Sequence, residues 1–211
     1  MDEEYMIKLS KQLRIHSIEK RMPEFRQNRD LLDSIKTFLE WETAERQERR
    51  LSRFVKFNGV VAAEPMANYD WKWPRKIDRG QIEDLFSLTF LEEKANIVLI
   101  GSAGLGKTMI AKNLVDHASR KGKSALFVES SRLMADLVSE TTRRGLENAL
   151  NKYTKPQLLA IDELGYLSYD ARFADLLFQL IHRRTKISST IEHEHGFFRH
   201  SSAFLARSLS A

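Results

Sequence analysis

Gly101-Ser-Ala-Gly-Leu-Gly-Lys-Thr108 is the stretch on which the fold of this chain turns. A glycine, four residues, then Gly-Lys-Thr is the spacing of a phosphate-binding loop. Gly101, Gly104 and Gly106 let the backbone curl so that the loop amides, those of Ser102, Ala103 and Leu105 included, turn toward phosphate oxygens. The helix that follows aims its positive end at the same anion. Lys107 is placed to reach the β- and γ-phosphates of a nucleotide, and the Thr108 hydroxyl to take one position on magnesium. The flanks agree with this reading. Ile97-Val-Leu-Ile100 is a short apolar run that predicts a buried strand, and Lys107 to Arg120 predicts a helix. A glycine-rich turn that happens to contain Lys-Thr is the competing reading, and both flanks weigh against it.

Leu158-Leu-Ala-Ile-Asp-Glu163, about fifty residues on, supplies a partner motif. Four apolar residues predict a strand whose end carries Asp162 to the magnesium shell, with Glu163 placed to orient or deprotonate an attacking water. Apolar strands ending in Asp-Glu are common, so the spacing carries the weight. A further strand, Ala125-Leu-Phe-Val128, lies between the two motifs. That inserted strand and the adjacent glutamate point to an ATPase with a catalytic glutamate rather than to nucleotide kinases or small GTPases. No guanine-reading Asn-Lys-x-Asp is present. ATP and magnesium are the expected ligands.

Outward from these motifs the strands alternate with helices. Ser131 to Leu150 predicts one helix with Leu133, Leu137 and Leu146 inward, and Arg172 to Arg184 another bearing Leu176, Leu177, Leu180 and Ile181. The alternation predicts an α/β fold with a parallel sheet covered on both faces. Residues 1 to 75 read instead as a helical, charged domain. Met6, Leu9 and Leu13 recur at helical spacing, Leu31, Ile35, Phe38 and Leu39 do so again, and Pro23 between them is expected to end the first helix. Arg46, Arg49, Arg50, Arg53 and Lys56 have two readings: a solvated face laced with ion pairs, or a phosphate-contacting DNA surface. Tyr69-Asp-Trp-Lys-Trp-Pro74 reads as an aromatic linker whose rings anchor a joint between domains, followed by Ile82, Leu85, Phe86 and Phe90 on one amphipathic face.

Composition narrows the classes. The 211 residues hold 34 Lys and Arg against 29 Asp and Glu, a net charge of +5 that is compatible with a nucleic-acid partner. Cys is absent, so disulfides and thiolate metal sites are unavailable. No apolar stretch approaches the roughly 18 residues of a membrane span, and the acidic start lacks the layout of a secretion signal. A cytoplasmic protein is the expectation. His193-Glu-His195 forms a pair without a third ligand, which favours exposed residues over a metal site.

Several stretches resemble IstB-like ATP-binding proteins: Tyr69-Asp-Trp-Lys-Trp-Pro-Arg-Lys-Ile-Asp-Arg79, then Glu93 through Thr108, then Ile161-Asp-Glu-Leu-Gly-Tyr-Leu-Ser-Tyr-Asp170 with Ala174-Asp-Leu-Leu-Phe178. Such proteins are AAA+ ATPases encoded by insertion sequences and related to the DnaC helicase loader. The resemblance implies a P-loop core of AAA+ type over residues 76–190, and an N-terminal helical domain, residues 1–75, that helps engage duplex DNA. It also implies assembly of like subunits and a partner transposase encoded by the same element. A helicase loader is the alternative close in mechanism, and a degenerate nucleotide- or DNA-binding remnant the alternative of another class.

The departure from the family begins at Ile191. There the family continues an apolar strand into Thr-Thr-Asn, whereas this chain reads Ile191-Glu-His-Glu-His-Gly-Phe-Phe198. Residues 191–211 are therefore expected to form an atypical tail in place of the fourth and fifth strands of a truncated core. Frameshift or truncation of the gene would produce this, and ATP hydrolysis by Glu163 and Lys107 would be impaired.

Overall fold

The computed structural model describes residues 2–61, 63–72, 77–164, 171–185, 187–194 and 204–208; Asp2, His193, Glu194 and 204–208 are described by their backbone alone. They form two compact units, Met1–Arg53 and Phe54–Ala211. The division falls before residue 75 because Val60, Met66, Tyr69 and Trp71 pack into the core of the second unit.

In the first unit, α1 spans Asp2–Leu13, α2 Ser17–Arg26, and α3 begins at Arg29 and runs to Lys56. Met6, Leu9, Leu13, Met22 and Leu39 form its core, with Leu32 and Ile35 half-buried beside them. Two expectations change. Leu13 ends α1, followed by Arg14 at φ 60, and Pro23 lies inside α2. Pro23 and Glu19, whose carbonyl loses its helical donor, are both exposed, so water can satisfy that carbonyl. On α3 the buried stripe runs through Leu32, Ile35 and Leu39, leaving Leu31 at 43% and Phe38 at 55% exposure.

The second unit opens with two short helices, α4 Arg79–Leu85 and α5 Thr89–Glu92, which bury Ile82, Leu85 and Phe90 as their pattern requires. The doubly wound part follows: β1 Asn96–Ile100, α6 Lys107–Arg120, β2 Ala125–Glu129, α7 Ser130–Val138, α8 Arg143–Thr154, β3 Leu158–Asp162, α9 Ala171–Arg184, β4 Ser189–Glu194 and β5 Phe204–Ser208. The sheet order is β2-β3-β4-β1-β5, with the first four strands parallel and β5 antiparallel to β1. β3 shows why both faces must be covered. Its alternate residues Leu158 and Ala160 join Ile110, Ala111, Leu114 and Val115 of α6, while Leu159 and Ile161 join Leu133, Leu150, Phe173, Leu176 and Leu180 of α7, α8 and α9.

Two corrections concern this unit. The single helix expected over Ser131 to Leu150 is two, because Thr142 caps α8 by accepting the Gly145 amide at 3.0 Å, and Ser139-Glu-Thr-Thr142 offers the backbone polar partners outside a helix. The fourth strand, expected to be lost, forms as β4 between β1 and β3. Ser189, Thr190 and Ile191 are all at most 1% exposed; β3 pairs with the strand from Ser189 to Glu192, and β1 from Ile191 to Glu194. A fifth strand also forms at the β1 edge, in the opposite direction to the rest of the sheet.

The segment after α3 meets the other edge of the sheet, at β2. Asn58 carbonyl accepts the Phe127 amide at 2.7 Å, its side-chain Oδ1 accepts the Val60 amide at 2.9 Å, and Gly59 between them has φ +75. A Cβ on Gly59 would lie 2.1 Å from the Phe127 carbonyl oxygen, in a conformation that L residues avoid. Gly59→Ala is expected to cost about 3 kcal/mol, the sum of backbone strain and a displaced edge contact. Urea unfolding would show a lowered midpoint with unchanged slope; a loss under about 0.5 kcal/mol would mean that the segment yields freely.

Candidate nucleotide-binding site

The loop Gly101 to Gly106 joins β1 to α6 at the C-terminal end of the parallel strands, where open α/β sheets bind ligands. Gly104 at φ +76 and Gly106 at φ +79 supply the left-handed turns that fold the loop back, and Gly106 is the N-cap of α6. Ala103 and Gly104 are exposed at the tip, Ser102 is half-exposed, and Gly101 and Leu105 are buried. Lys107 is 4% exposed, and its ammonium donates to the Gly101 and Ser102 carbonyls, both at 2.6 Å. Burial pushes the Lys107 ammonium below its usual range, and the charge of Asp162 opposes that shift. The lysine side chain is thus folded back onto two carbonyls of its own loop.

Thr108, one residue into α6, meets Asp162 at the end of β3. The threonine hydroxyl donates to Asp162 Oδ1 at 3.2 Å across 54 residues of sequence, and Asp162 is 4% exposed. A hydroxyl and a carboxylate side by side are hard oxygen donors of the kind magnesium takes, and few enough to leave places for phosphate and water. Glu163 follows, exposed, with φ 61, a rare conformation for a side chain of this size. Its carbonyl accepts the hydroxyl of Ser130 at 2.9 Å, and Ser130, 1% exposed, is the first residue after β2. The turn that presents Glu163 is therefore tied to the neighbouring strand.

Other sequence candidates fall elsewhere. Arg46, Arg49, Arg50 and Arg53 recur at three- and four-residue spacing along exposed α3. Arg46 pairs with Glu42 at 2.6 Å and donates to the Leu13 carbonyl; Arg49 pairs with Glu45 at 2.8 Å; Arg53 donates to the Arg49 carbonyl at 3.3 Å. Lys56, in the last turn of α3, lies 5.6 Å from the Phe57 ring centroid. These contacts fit a solvated face, on which all four arginines and Lys56 are exposed. Tyr166, Tyr169, Asp170, Trp73, Pro74 and His195 lie outside the described residues. Among the described residues no three His, Asp or Glu side chains converge on a metal position, and no helix is long and apolar enough to cross a membrane.

Two residues escape the sequence reading. Tyr69, read as a linker aromatic, donates its hydroxyl to the Leu105 carbonyl inside the loop at 2.8 Å. Ser130 carries a usable signal, a hydroxyl at the C-terminal end of a parallel strand, whereas nothing near Tyr69 in sequence announces its target.

Comparison with known proteins agrees with this geometry. The family model described as IstB-like ATP binding protein matches residues 8–209. The ATP-binding protein of insertion sequence IS232 from Bacillus thuringiensis subsp. berliner is 36% identical over 151 residues, covering 72% of this chain and 60% of that protein. The corresponding protein of IS5376 from Geobacillus stearothermophilus is 32% identical over 146 residues, covering 69% and 58%. That of IS21 from Pseudomonas aeruginosa is 31% identical, covering 72% and 58%. The chain thus matches about three fifths of the length of these relatives. Among solved structures, the DnaC helicase loader aligns at a TM-score of 0.45 and 22% identity, covering 64% of this chain and 81% of that one. A phosphate loop set between β1 and α6, an acidic strand end facing it, and a family match across nearly the whole length lead to one conclusion: this chain belongs to the IstB-like ATP-binding protein family.

Proposed function

We propose that the chain binds ATP with magnesium and acts, with further copies of itself, on duplex DNA to assist the transposase of its insertion sequence in the cytoplasm. The observation that carries the ATP part is the meeting of Thr108 and Asp162 at 3.2 Å beside the buried Lys107. Residues 54 apart in sequence come together there, which supports a place for a triphosphate and its cation. In this reading the loop amides from Gly101 to Gly106 and the Lys107 ammonium hold the phosphates, Thr108 and Asp162 hold magnesium, and Glu163 accepts a proton from water. Bound magnesium would neutralise phosphate charge. The exposed arginines of α3, Arg46, Arg49, Arg50 and Arg53, together with Lys56, provide the candidate DNA surface.

Hydrolysis is expected to be slow. β4 ends in Glu192-His-Glu194, an acidic run, and Glu194 is paired in register with Ile100, the residue before the loop. The resemblance implies Thr-Thr-Asn at this strand end, and this sequence supplies no asparagine there. This favours an ATP-binding relative with impaired turnover over a fully competent enzyme or a helicase loader.

The test is magnesium-dependent ATP turnover by the purified chain, with and without duplex DNA, beside Glu163→Gln. Turnover that rises with DNA and falls about a hundredfold or more in E163Q, with ATP affinity kept, is the expected signature of a glutamate acting on water. Equal turnover in E163Q would remove Glu163 from that role.

A further inference from the structure

We propose that Tyr69 is a positioning residue of the phosphate loop, fixing the peptide between Leu105 and Gly106 so that the Gly106 amide faces the bound anion. The proposal rests on the ATP-site reading above. Tyr69 lies 36 residues before Leu105, outside any phosphate-binding motif, and is 7% exposed. Its hydroxyl donates to the Leu105 carbonyl at 2.8 Å. In a trans peptide the carbonyl of one residue and the amide of the next point in opposite directions. Holding the Leu105 oxygen on the Tyr69 side therefore turns the Gly106 N–H away from Tyr69. The ring reinforces this, because a Cβ on Gly106 would lie 2.4 Å from Tyr69 Cε2. Gly106 therefore meets the phenol ring at its α-carbon and keeps its left-handed φ of +79, a conformation that costs glycine little.

The phenol is itself held in place. Trp71 packs on it with ring centroids 4.7 Å apart, and the Arg79 guanidinium lies 5.0 Å from the Trp71 centroid. Arg79 in turn pairs with Glu83 at 2.6 Å. A second tie fastens the same segment to α6: Asn113 Nδ2 donates to the Glu64 carbonyl at 2.7 Å. The segment around Tyr69 is thus pinned to the helix and to the loop that opens it. A phenylalanine would fill the same space, so the hydroxyl is the part of Tyr69 that acts on the loop. Freed from it, the Leu105 carbonyl and the Gly106 amide rotate together, and one donor to the anion is lost.

Tyr69→Phe tests this, because it removes one oxygen and leaves the ring. Calorimetric titrations with Mg-ATP and with inorganic tripolyphosphate, run about 20 degrees below the unfolding midpoint, compare folded molecules only. The expected result is a loss of about tenfold in affinity, equal for the two ligands, since an ordinary hydrogen bond to a pinned donor is at stake. A loss confined to ATP would make Tyr69 a contact of the nucleoside and overturn the proposal. Unchanged affinity for both ligands would overturn it too, reducing Tyr69 to packing. Lys107→Ala runs alongside to separate this inference from its foundation. If K107A loses ATP and Y69F does not, the positioning role alone fails; if K107A binds ATP as the parent does, the phosphate site and this proposal fall together.

Discussion

Lys107→Ala is expected to weaken Mg-ATP binding by about a hundredfold while changing the unfolding free energy by no more than about 1 kcal/mol. The two magnitudes come from different parts of the same geometry. In the free protein the ammonium is 4% exposed and bonded only to the Gly101 and Ser102 carbonyls among the contacts described, so much of what it gains from them offsets the cost of burying its charge. Removing it relieves that cost, and the freed carbonyls sit in a loop whose tip, at Ala103 and Gly104, is open to water. Bound triphosphate changes the balance. A buried cation facing several negative oxygens makes charge-assisted bonds of about 1.5–3 kcal/mol, and about 2.7 kcal/mol is a hundredfold in affinity. Titration calorimetry and urea unfolding on one preparation check both halves. Affinity within threefold of the parent would remove Lys107 from the phosphate site. A large stability loss would show that the lysine serves mainly to close the loop on itself.

Much of the candidate site is legible because its residues are adjacent in sequence. The loop from Gly101 to Thr108 is one octapeptide, and the strand ending at Asp162 announces itself by four apolar residues before an acid. The structure adds what pairs them: β4 lies between β1 and β3, and the 3.2 Å contact of Thr108 with Asp162 closes across it. What stayed hidden is partnership at a distance. Tyr69 reads as a linker aromatic because its target is a backbone carbonyl, and carbonyls leave no trace in residue identity. Pro23 misleads for the opposite reason, a strong local signal overridden where water can replace the missing helical donor. β4 misleads because Glu192, His193 and Glu194 spoil the apolar pattern only at its end, after Ser189, Thr190 and Ile191 have set the register. Composition changes near residue 75, whereas Tyr69 already belongs to the core of the second unit, with Val60 and Met66 half-buried against it.

The largest stability effect is expected at Arg184, which no motif singles out. It is 1% exposed at the end of α9, and its guanidinium reaches five acceptors. Nη1 donates to the Tyr153, Thr154 and Pro156 carbonyls at 2.8, 3.2 and 2.9 Å, Nε to Thr190 Oγ1 at 3.0 Å, and Nη2 to the Ser189 carbonyl. Burial pushes the guanidinium down to about 10, so it is charged at neutral pH. Three of the acceptors cluster at the C-terminal end of α8, where unpaired carbonyls and the helix dipole favour a cation. The other two belong to the first residues of β4. One side chain therefore joins α8, α9 and β4, and the fixed fork of arginine suits that geometry. Lysine offers three donors on a flexible stem and cannot serve all five. Arg184→Met is expected to cost about 4 kcal/mol, with Arg184→Lys nearly as costly, because each buried acceptor left unpaired loses about 1–3 kcal/mol and water recovers only part. Against a total of about 5–15 kcal/mol for a domain, either variant approaches unfolding at 37 °C. The Asn96 side chain, accepting the Thr190 amide at 2.9 Å, would then hold the start of β4 with less help. Since β4 separates the strand that carries the phosphate loop from the strand that carries Asp162, R184M should also lose ATP affinity before it loses helical circular dichroism in a urea titration. Coincident loss of the two signals would mean that Arg184 stabilises the unit as a whole, and an unfolding midpoint equal to that of the parent would mean that water takes its place.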